Sequence, residues 1–303
     1  MADMDRSSLA DVVSCALDDD VISIGSVAGG DVAESYRMEL SSGRTVFAKT
    51  HHAQPAEFFL TEASGLSWIR NALLGSDTPH GVAVAEVLAV GVGYLVLEWI
   101  NESGGAVDEC LDAELGRAIA AIHRAGAPAF GRADRMTTGS RHLPNEPVDS
   151  WVEHIAVNRL LPLTKLWIDT PTLPPDIGER LFRLVGRLDR LGVPDELPAL
   201  LHGDLWVGNR LAGQRVGERN ILNWLIDPAA HGGHREFDLA MMRLFGGFGA
   251  GCFEAYNEVY PLADDWEARV PLHQLVPLAV HAIKFGGGYV AATDRALAQI
   301  AVL

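Results

Sequence analysis

The sequence contains few cysteines and few basic residues. Its three cysteines, Cys15, Cys110 and Cys252, lie far apart and form no CxxC pair. Neither a disulfide framework nor a zinc site is therefore indicated, and a reducing, cytoplasmic environment is expected. Lys and Arg total 24 against 40 Asp and Glu, which gives the 303-residue chain a formal net charge of −16. Such a chain repels phosphate backbones, so a nucleic-acid partner is not expected.

The sequence also lacks the signatures of several large protein classes. Gly, Pro or charged residues interrupt every apolar run before it reaches the length of a membrane span, so no transmembrane helix and no membrane partner are predicted. The acidic N-terminal stretch does not read as a secretory signal. The motifs GxxxxGK[ST], GxGxxG and GxSxG do not occur. A P-loop ATPase, a dinucleotide-binding protein and a serine hydrolase therefore lose their main sequence support.

The rhythm of apolar residues changes near residue 100. Residues 21–50 alternate as strands do, 55–71 have the spacing of a helix, and 85–99 contain two short apolar strands. A polar, Gly-rich connector follows, and beyond it helical spacing dominates. We therefore predict an α+β protein with a small β-rich domain, 1–100, and a larger, mainly helical domain, 101–303. Helices are expected at 5–18, 108–124, 149–167, 176–191, 235–250 and 265–300.

Three polar residues stand at the ends of a predicted hairpin, in the stretch LLHGDLWVGNRLAG…NILNWLIDPA. Asp204 and Asn209 are five positions apart, and Asp227 follows on the second arm. Phosphoryl transfer needs a carboxylate that accepts a hydroxyl proton and oxygen ligands that hold Mg²⁺ against a triphosphate. The Asp-to-Asn interval equals that of the protein-kinase catalytic loop. This spacing predicts Asp204 as the base and Asn209 and Asp227 as magnesium ligands, although a capped polar turn would carry similar residues.

Two upstream features fit the same chemistry. Lys49 ends an apolar strand, from which an ammonium reaches nucleotide phosphates, and Glu62 follows on the next helix, where it could pair with that lysine. The turn at Gly29 and Gly30 could bring backbone N–H groups close to phosphate. A lysine at a strand end usually only reaches solvent, and a Gly pair is usually only a turn. Their order along the chain, before the Asp204 motif, is what favours a nucleotide site.

The sequence resembles the fructosamine kinase, or ketosamine 3-kinase, family. This family is a branch of the aminoglycoside-phosphotransferase and protein-kinase-like fold. The resemblance extends over almost the whole chain and is most specific at 28–50, at 200–209 (LLHGDLWVGN) and at 226–248 (IDPAAHGGHREFDLAMMRLFGGF). HGDLW together with GHREFDLAM and LFGGF is closer to ketosamine kinases than to aminoglycoside or choline kinases. The resemblance implies a two-lobe fold with Mg-ATP in the cleft.

The resemblance also implies an activity and residue roles. The activity is ATP-dependent phosphorylation of O3 of a ketosamine, whose unstable product decomposes, so that the reaction serves deglycation. The implied cofactors are ATP and Mg²⁺. Backbone groups of Glu98 and Ile100 would hold adenine, Trp206 and His281 would hold the sugar, and Asp238 would brace the catalytic loop. Trp206 and His281 have plain structural alternatives, because a tryptophan or histidine of this kind also occurs in ordinary cores.

Substrate choice stays open at this stage. Residues 131–147 depart from the family pattern, and only Pro144 and Asn145 match it clearly, so the identity of the ketosamine is not predicted. The substrate is either a small-molecule ketosamine or a glycated protein amine, and the oligomeric state is open. One alternative is another small-molecule kinase of the same fold, acting on an aminoglycoside or an amino alcohol. A catalytically silent nucleotide-binding protein is a second alternative.

Overall fold

The computed structural model describes residues 6–27, 33–51, 55, 57–76, 81–104, 108–134, 137–138 and 142–301. The chain forms two compact units. Unit 1 comprises Met1–Leu111 and Asn209–Pro228, and unit 2 comprises Asp112–Gly208 and Ala229–Leu303. Within the described part of the chain, no helix is both long and apolar enough to cross a bilayer.

The described residues of unit 1 form two sheets. The first has the order β1-β2-β3-β6-β5 and is antiparallel throughout, and the second has the order β4-β12-β11-β7. The strands of unit 1 are β1 (Val21–Val27), β2 (Glu34–Leu40), β3 (Thr45–Thr50), β4 (Val82–Val84), β5 (Val87–Gly91), β6 (Tyr94–Glu98), β7 (Ile100–Glu102), β11 (Arg210–Arg215) and β12 (Leu222–Leu225). Its helices are α1 (Arg6–Leu17), α2 (Phe58–Leu74) and the first turn of α3 (Glu109–Ala125).

The core of unit 1 fixes the position of β3, the strand that contains Lys49. In β3, Val46 and Ala48 are fully buried and pack with Met38 of β2 and Leu9 of α1. Because side chains alternate across a strand, Lys49 points to the opposite face of the sheet from Val46 and Ala48. The strand lies between β2 and β6, with Lys49 opposite Leu95 of β6.

Unit 2 is mainly helical. Its core consists of apolar side chains from successive helices, with Leu163, Trp167, Leu181 and Leu275 almost completely buried. Its helices after α3 are α4 (Trp151–Glu153), α5 (Leu161–Ile168), α6 (Pro175–Val185), α7 (Glu236–Phe245), α8 (Ala250–Val259), α9 (Trp266–Phe285) and α10 (Gly288–Ile300), with a π-helical stretch, His154–Leu160, between α4 and α5. Its strands are β8 (Thr137–Thr138), β9 (Leu143–Pro144), β10 (Ala199–Leu201) and β13 (His231–Gly233).

The expected α+β class, with a β-rich N-terminal region and a mainly helical C-terminal region, is confirmed. The division of the chain differs from the boundary expected at residue 100. Residues 209–228, predicted in the second domain, belong to unit 1, because β11 pairs with β7 and β12 pairs with β4. The predicted hairpin exists as β11 and β12, but the segment HGDLW precedes it, between β10 and β11.

Candidate active site

Three charged residues of unit 1 meet in one ion-paired group, as the sequence suggested for two of them. Lys49 Nζ donates to Glu62 Oε1 at 2.9 Å and also contacts Asp227 Oδ1. The Lys49 and Glu62 side chains are only 7% and 10% exposed, whereas Asp227 is 35% exposed. Burial alone would lower the pKa of Lys49, but the two carboxylates outweigh it and raise that pKa. The group therefore presents a fixed ammonium beside a carboxylate that solvent reaches.

Asn209 and Asp227 lie at the same end of the β11–β12 hairpin. Arg210 pairs with Leu225, and the amide of Ile226 donates to the carbonyl of Asn209 at 3.1 Å. The antiparallel pairing therefore places an amide side chain and a carboxylate on neighbouring chain segments. Asp227 has a left-handed backbone, with φ of 53°. Carboxylate and amide oxygens are ligands that suit Mg²⁺, so this donor set fits a magnesium ion.

Asp204 lies in unit 2, in the loop between β10 and β11. The loop turns at Gly203, whose φ is +81° and where a Cβ atom would meet the Ala229 carbonyl oxygen at 2.3 Å. Only glycine fits this turn. The amide of Asp204 donates to Nδ1 of His202 at 3.3 Å, and His202 is buried. His202 therefore supports the turn, and the carboxylate that follows Gly203 is partly exposed.

Asp238 of α7 supports this loop through hydrogen bonds, as expected from the resemblance. Its carboxylate accepts hydrogen bonds from the amides of His202, at 2.6 Å, and Gly203, at 2.9 Å. Nε2 of His123 lies 3.2 Å from the same carboxylate, and Nδ1 of His123 lies 2.9 Å from the hydroxyl of Tyr256. Burial alone would raise the pKa of Asp238, but the hydrogen bond and charge of His123 lower it. An ionised carboxylate thus fixes two backbone amides of the loop.

The two residues expected to hold adenine, Glu98 and Ile100, lie at the end of β6 and in β7. The amide of Glu98 already donates to the Glu86 carbonyl at 3.0 Å, so this amide is engaged within the protein. The Glu98 carboxylate accepts two bonds from Arg215, at 2.8 and 3.2 Å. Ile100 pairs with Arg215 across β7 and β11. Arg215 thus ties this segment to the strand that follows Asn209, a link that nothing in the sequence indicates.

Trp206 and His281 belong to one group of aromatic side chains in unit 2. The rings of Trp206 and Phe245 lie 5.8 Å apart, and Phe245 lies 5.7 Å from His281. Trp206 is 37% exposed and Phe245 is 38% exposed. The two predicted sugar contacts are therefore linked through Phe245, which the sequence did not single out. The motif LFGGF contained the only sequence signal for it.

The remaining expected residues, Gly29 and Gly30, lie outside the described residues. Among the others, the structure brings Lys49, Glu62 and Asp227 together and places Asn209 beside them in unit 1. Asp204, Trp206 and His281 belong to unit 2. The roles assigned to all of these residues stay predictions.

A second cluster, His234, Glu236 and His273, also has the composition of a metal site. Its ligand-type atoms lie within 4.8 Å of one another, and all three residues are buried. Arg269, however, donates to both oxygens of Glu236, at 2.5 and 2.9 Å. Burial alone would raise the pKa of Glu236, but the neighbouring His273 and Arg269 lower it to about 2. The guanidinium already neutralises this carboxylate, so the cluster is a buried ion-pair network.

Known proteins resemble this chain over nearly its whole length. A probable ketoamine kinase of Synechocystis is 34% identical, and the alignment covers 90% of this chain and 88% of the relative. A chloroplastic protein-ribulosamine 3-kinase of Arabidopsis thaliana is 33% identical, with 89% and 79% covered. A crystal structure of a candidate fructosamine-3-kinase from Thermobifida fusca matches with a TM-score of 0.86 and 34% identity, covering 99% of this chain and all of that one.

More distant structures share the fold alone. An aminoglycoside phosphotransferase, APH(2″)-IIa, crystallised with streptomycin and ATP, matches with a TM-score of 0.60 at 11% identity, and it covers 100% of this chain and 98% of that one. The fold is therefore that of the kinase-like phosphotransferases. The sequence model of the fructosamine kinase family matches residues 7–302, and the chain belongs to that family.

Proposed function

We propose that this protein is an ATP- and Mg²⁺-dependent kinase that phosphorylates the O3 hydroxyl of ketosamines. The observation that carries the proposal is the buried contact of Lys49 with both Glu62 and Asp227, with Asn209 at the same end of the hairpin. This arrangement supplies an oriented ammonium for nucleotide phosphates and two oxygen ligands for a divalent ion. Chemistry of this kind depends on positioning and charge neutralisation.

Each residue of unit 1 has a distinct task in this proposal. Lys49 binds the α- and β-phosphates, and Glu62 orients its ammonium. Asn209 and Asp227 would hold Mg²⁺, which would neutralise charge on the phosphates. Lys49 contacts Oδ1 of Asp227, and the 35% exposure of this side chain leaves the carboxylate open to an ion. The Glu98 carbonyl and Ile100 would contact the adenine, and the Gly29-Gly30 turn would cover the phosphates.

Asp204 acts as the base in unit 2. Its carboxylate takes the proton of the sugar O3 hydroxyl while that oxygen bonds to the γ-phosphorus and the bond from γ-phosphorus to ADP breaks. The hydrogen bonds that Asp238 accepts from the amides of His202 and Gly203 keep the loop in place during this step. Trp206 offers a face to the sugar ring, and His281 lies in the same aromatic group.

The substrate class follows from the relatives. Their names contain ketoamine and ribulosamine kinases, so this chain is proposed to act on sugar amines of fructosamine or ribulosamine type in the cytoplasm. Phosphorylation at O3 makes the adduct decompose, and the activity would serve deglycation of small molecules or of glycated protein amines.

The test is ADP release from Mg-ATP with a panel of ribulosamines, fructosamines, aminoglycosides and choline. Turnover is expected with the ketosamines alone, and phosphorus NMR of the product should place the phosphate on O3. The Asp204→Asn variant is the matched blank. It should lose about 10²–10⁴-fold in kcat, the usual contribution of a positioned base, while calorimetry shows unchanged ATP binding.

Two outcomes would contradict the proposal. Turnover only with aminoglycosides or choline would keep the fold and overturn the substrate class. Loss of ATP affinity in Asp204→Asn with kcat preserved would refute the role of Asp204.

A further inference from the structure

An aromatic cluster of five rings lies in unit 2, near the end of α9. Its members are Trp206, Phe245, His281, Phe285 and Tyr289. His281 is central, because its ring lies 5.7 Å from Phe245, 5.7 Å from Phe285 and 4.9 Å from Tyr289. His281 and Phe285 are four residues apart and so share one face of α9. The five rings therefore form one continuous group.

Much of this aromatic cluster is open to solvent. Phe285 is 53% exposed, in addition to the partly exposed Trp206 and Phe245. Phe245 and Phe285 each end a helix, and each is followed by two glycines with positive φ. A Cβ atom at Gly246, Gly286 or Gly287 would meet nothing within 4 Å. Large exposed aromatic groups on a folded surface usually mark a binding site.

The hydrogen bonding of His281 assigns its tautomer. Its Nδ1 lies 2.7 Å from the carbonyl oxygen of Pro277, one turn earlier in α9. A carbonyl oxygen only accepts, so Nδ1 carries the proton. In the neutral form of this tautomer the lone pair lies at Nε2, where it can accept a hydrogen bond from an N–H or O–H group.

A cation already lies over one ring of the aromatic cluster. The ammonium of Lys284 is 4.6 Å from the centroid of the Phe285 ring. Ammonium groups are attracted to the negative face of an aromatic ring at this distance. The ring of Phe285 therefore attracts an alkylammonium group, and a ligand ammonium would take the place of the Lys284 ammonium at this face.

We propose that the aromatic cluster binds the protonated secondary amine of the ketosamine, with His281 Nε2 accepting one of its N–H bonds. The inference rests on the proposed function and adds how the enzyme separates a ketosamine from a simple ketose. A ketosamine differs from a ketose by this charged nitrogen at C1. The rings of Phe245, Phe285 and Tyr289 attract the ammonium charge, and the hydrogen bond to His281 orients the N–H group.

The test compares two ligands that differ at one atom. Fructosyl-butylamine carries the charged nitrogen, and the butyl ether of the same sugar carries an uncharged oxygen there. Calorimetry measures Kd for each ligand, and ADP release measures KM and kcat. The native protein should favour the amine about tenfold or more, and Phe285→Leu and Tyr289→Leu should each reduce that preference about three- to tenfold, the range of a ring–cation contact.

Matched variants separate ring chemistry from folding. His281→Leu removes the acceptor, whereas His281→Gln keeps one and should retain more of the preference for the amine. Phe182, a 59% exposed ring on α6 of the same unit, is the control, and Phe182→Leu should leave both ligands unchanged. The ATP KM should stay constant throughout, because these rings are proposed to contact only the substrate.

The outcomes keep this inference apart from the proposed function. In one outcome, ketosamines are turned over, but the ring variants weaken binding of the amine and the ether equally, or weaken neither. The aromatic cluster then does not distinguish the charged nitrogen from the oxygen, and the inference is overturned. If the native protein turns over no ketosamine but still binds the amine more tightly, in a ring-dependent way, the proposed function falls and the ammonium site stands. Equal binding of amine and ether by the native protein would also overturn the inference.

Discussion

The two units secure their reactive carboxylates in different ways. In unit 1, Asp227 is held by a direct contact with Lys49, which is itself paired with Glu62. In unit 2, Asp204 is held indirectly, because Asp238 binds the two amides that precede it and His123 lies next to Asp238. In unit 1 the functional groups thus contact each other directly, whereas in unit 2 a buried hydrogen-bond network supports the loop that carries Asp204.

This difference predicts separate consequences for mutation. A change in the charged group of unit 1 alters atoms that are proposed to touch the nucleotide. A change in the buried network of unit 2 alters stability first and catalysis only through the loop. Substitutions in the two units should therefore separate kinetic effects from stability effects.

The largest expected effect is on stability, from Asp238→Ala. Asp238 is fully buried, and the substitution removes the acceptor of two backbone amides and of His123. Urea unfolding should show a loss of about 4 kcal/mol, because a buried charged acceptor is lost and its donors stay buried. Asp169→Ala, at an exposed ion pair with Lys165, should change stability by less than about 0.5 kcal/mol.

If Asp238→Ala lowered the free energy of unfolding no more than Asp169→Ala does, the buried network of unit 2 would not stabilise the fold. Where the alanine variant does not fold, Asp238→Asn keeps one acceptor for the amides and gives an intermediate loss that can be measured.

The next effect concerns catalysis in unit 1, through Lys49→Met. The substitution keeps the length of the side chain but removes the ammonium that contacts Glu62 and Asp227. The kcat/KM for ATP should fall about 10²–10³-fold, the usual loss when one oriented cationic or polar donor is removed. Initial rates at varied ATP measure it. Lys165→Met, at a 77% exposed lysine, is the control, and equal rates in both variants would refute the nucleotide role of Lys49.

The third effect is a loss of stability in acid that begins in unit 2. Burial and nearby His273 lower the pKa of His234 to about 4, and burial and nearby Arg159 do the same for His231. An unfolded chain binds these protons near pH 6.5. The stabilisation is therefore complete above pH 6.5 and is lost as pH falls towards 4, by up to about 3 kcal/mol for each ring.

Hydrogen exchange at pH 7 and pH 4.5 measures where this acid effect begins. Amides of unit 2 should lose protection before those of unit 1, and His234→Gln should reduce the change. Simultaneous loss in both units, unaffected by His234→Gln, would contradict the assignment.

The sequence predicted the charged residues of the candidate site better than the residues that support them through hydrogen bonds. Lys49, Glu62 and Asp227 were found from their order and spacing, since a nucleotide site needs these chemical types. The role of Asp238 as a brace came from resemblance, and its hydrogen bonds agree with it. His123, Tyr256 and Arg215 were not found, because their partners are brought near only by helix packing and strand pairing.

The elements show the same limit. Helices α1, α2 and α3 lie close to their expected positions, because each has apolar residues at helical spacing. The helix expected over 176–191 ends at Val185, and a separate 3₁₀ turn, Leu188–Arg190, follows it. The stretch expected as one helix over 265–300 is divided into α9 and α10, where Gly286 and Gly287 adopt positive φ. Pairing of β11 with β7, which moves 209–228 into unit 1, is a long-range contact that local spacing does not encode.

The smallest expected effect, from Tyr256→Phe, tests how far the buried network of unit 2 extends. The hydroxyl of Tyr256 lies 2.9 Å from His123 Nδ1, so its removal leaves a buried imidazole nitrogen without that partner. The same hydroxyl is hydrogen-bonded to Arg235, so unfolding should show a loss of about 2 kcal/mol, the net value of two such hydrogen bonds. Tyr260→Phe keeps its ring over the guanidinium of Arg235 and should leave stability unchanged. A fall in kcat for Tyr256→Phe at constant ATP KM would mean that Tyr256 helps to position the Asp204 loop through His123 and Asp238. An unchanged kcat would mean that only Asp238 and His123 position the loop.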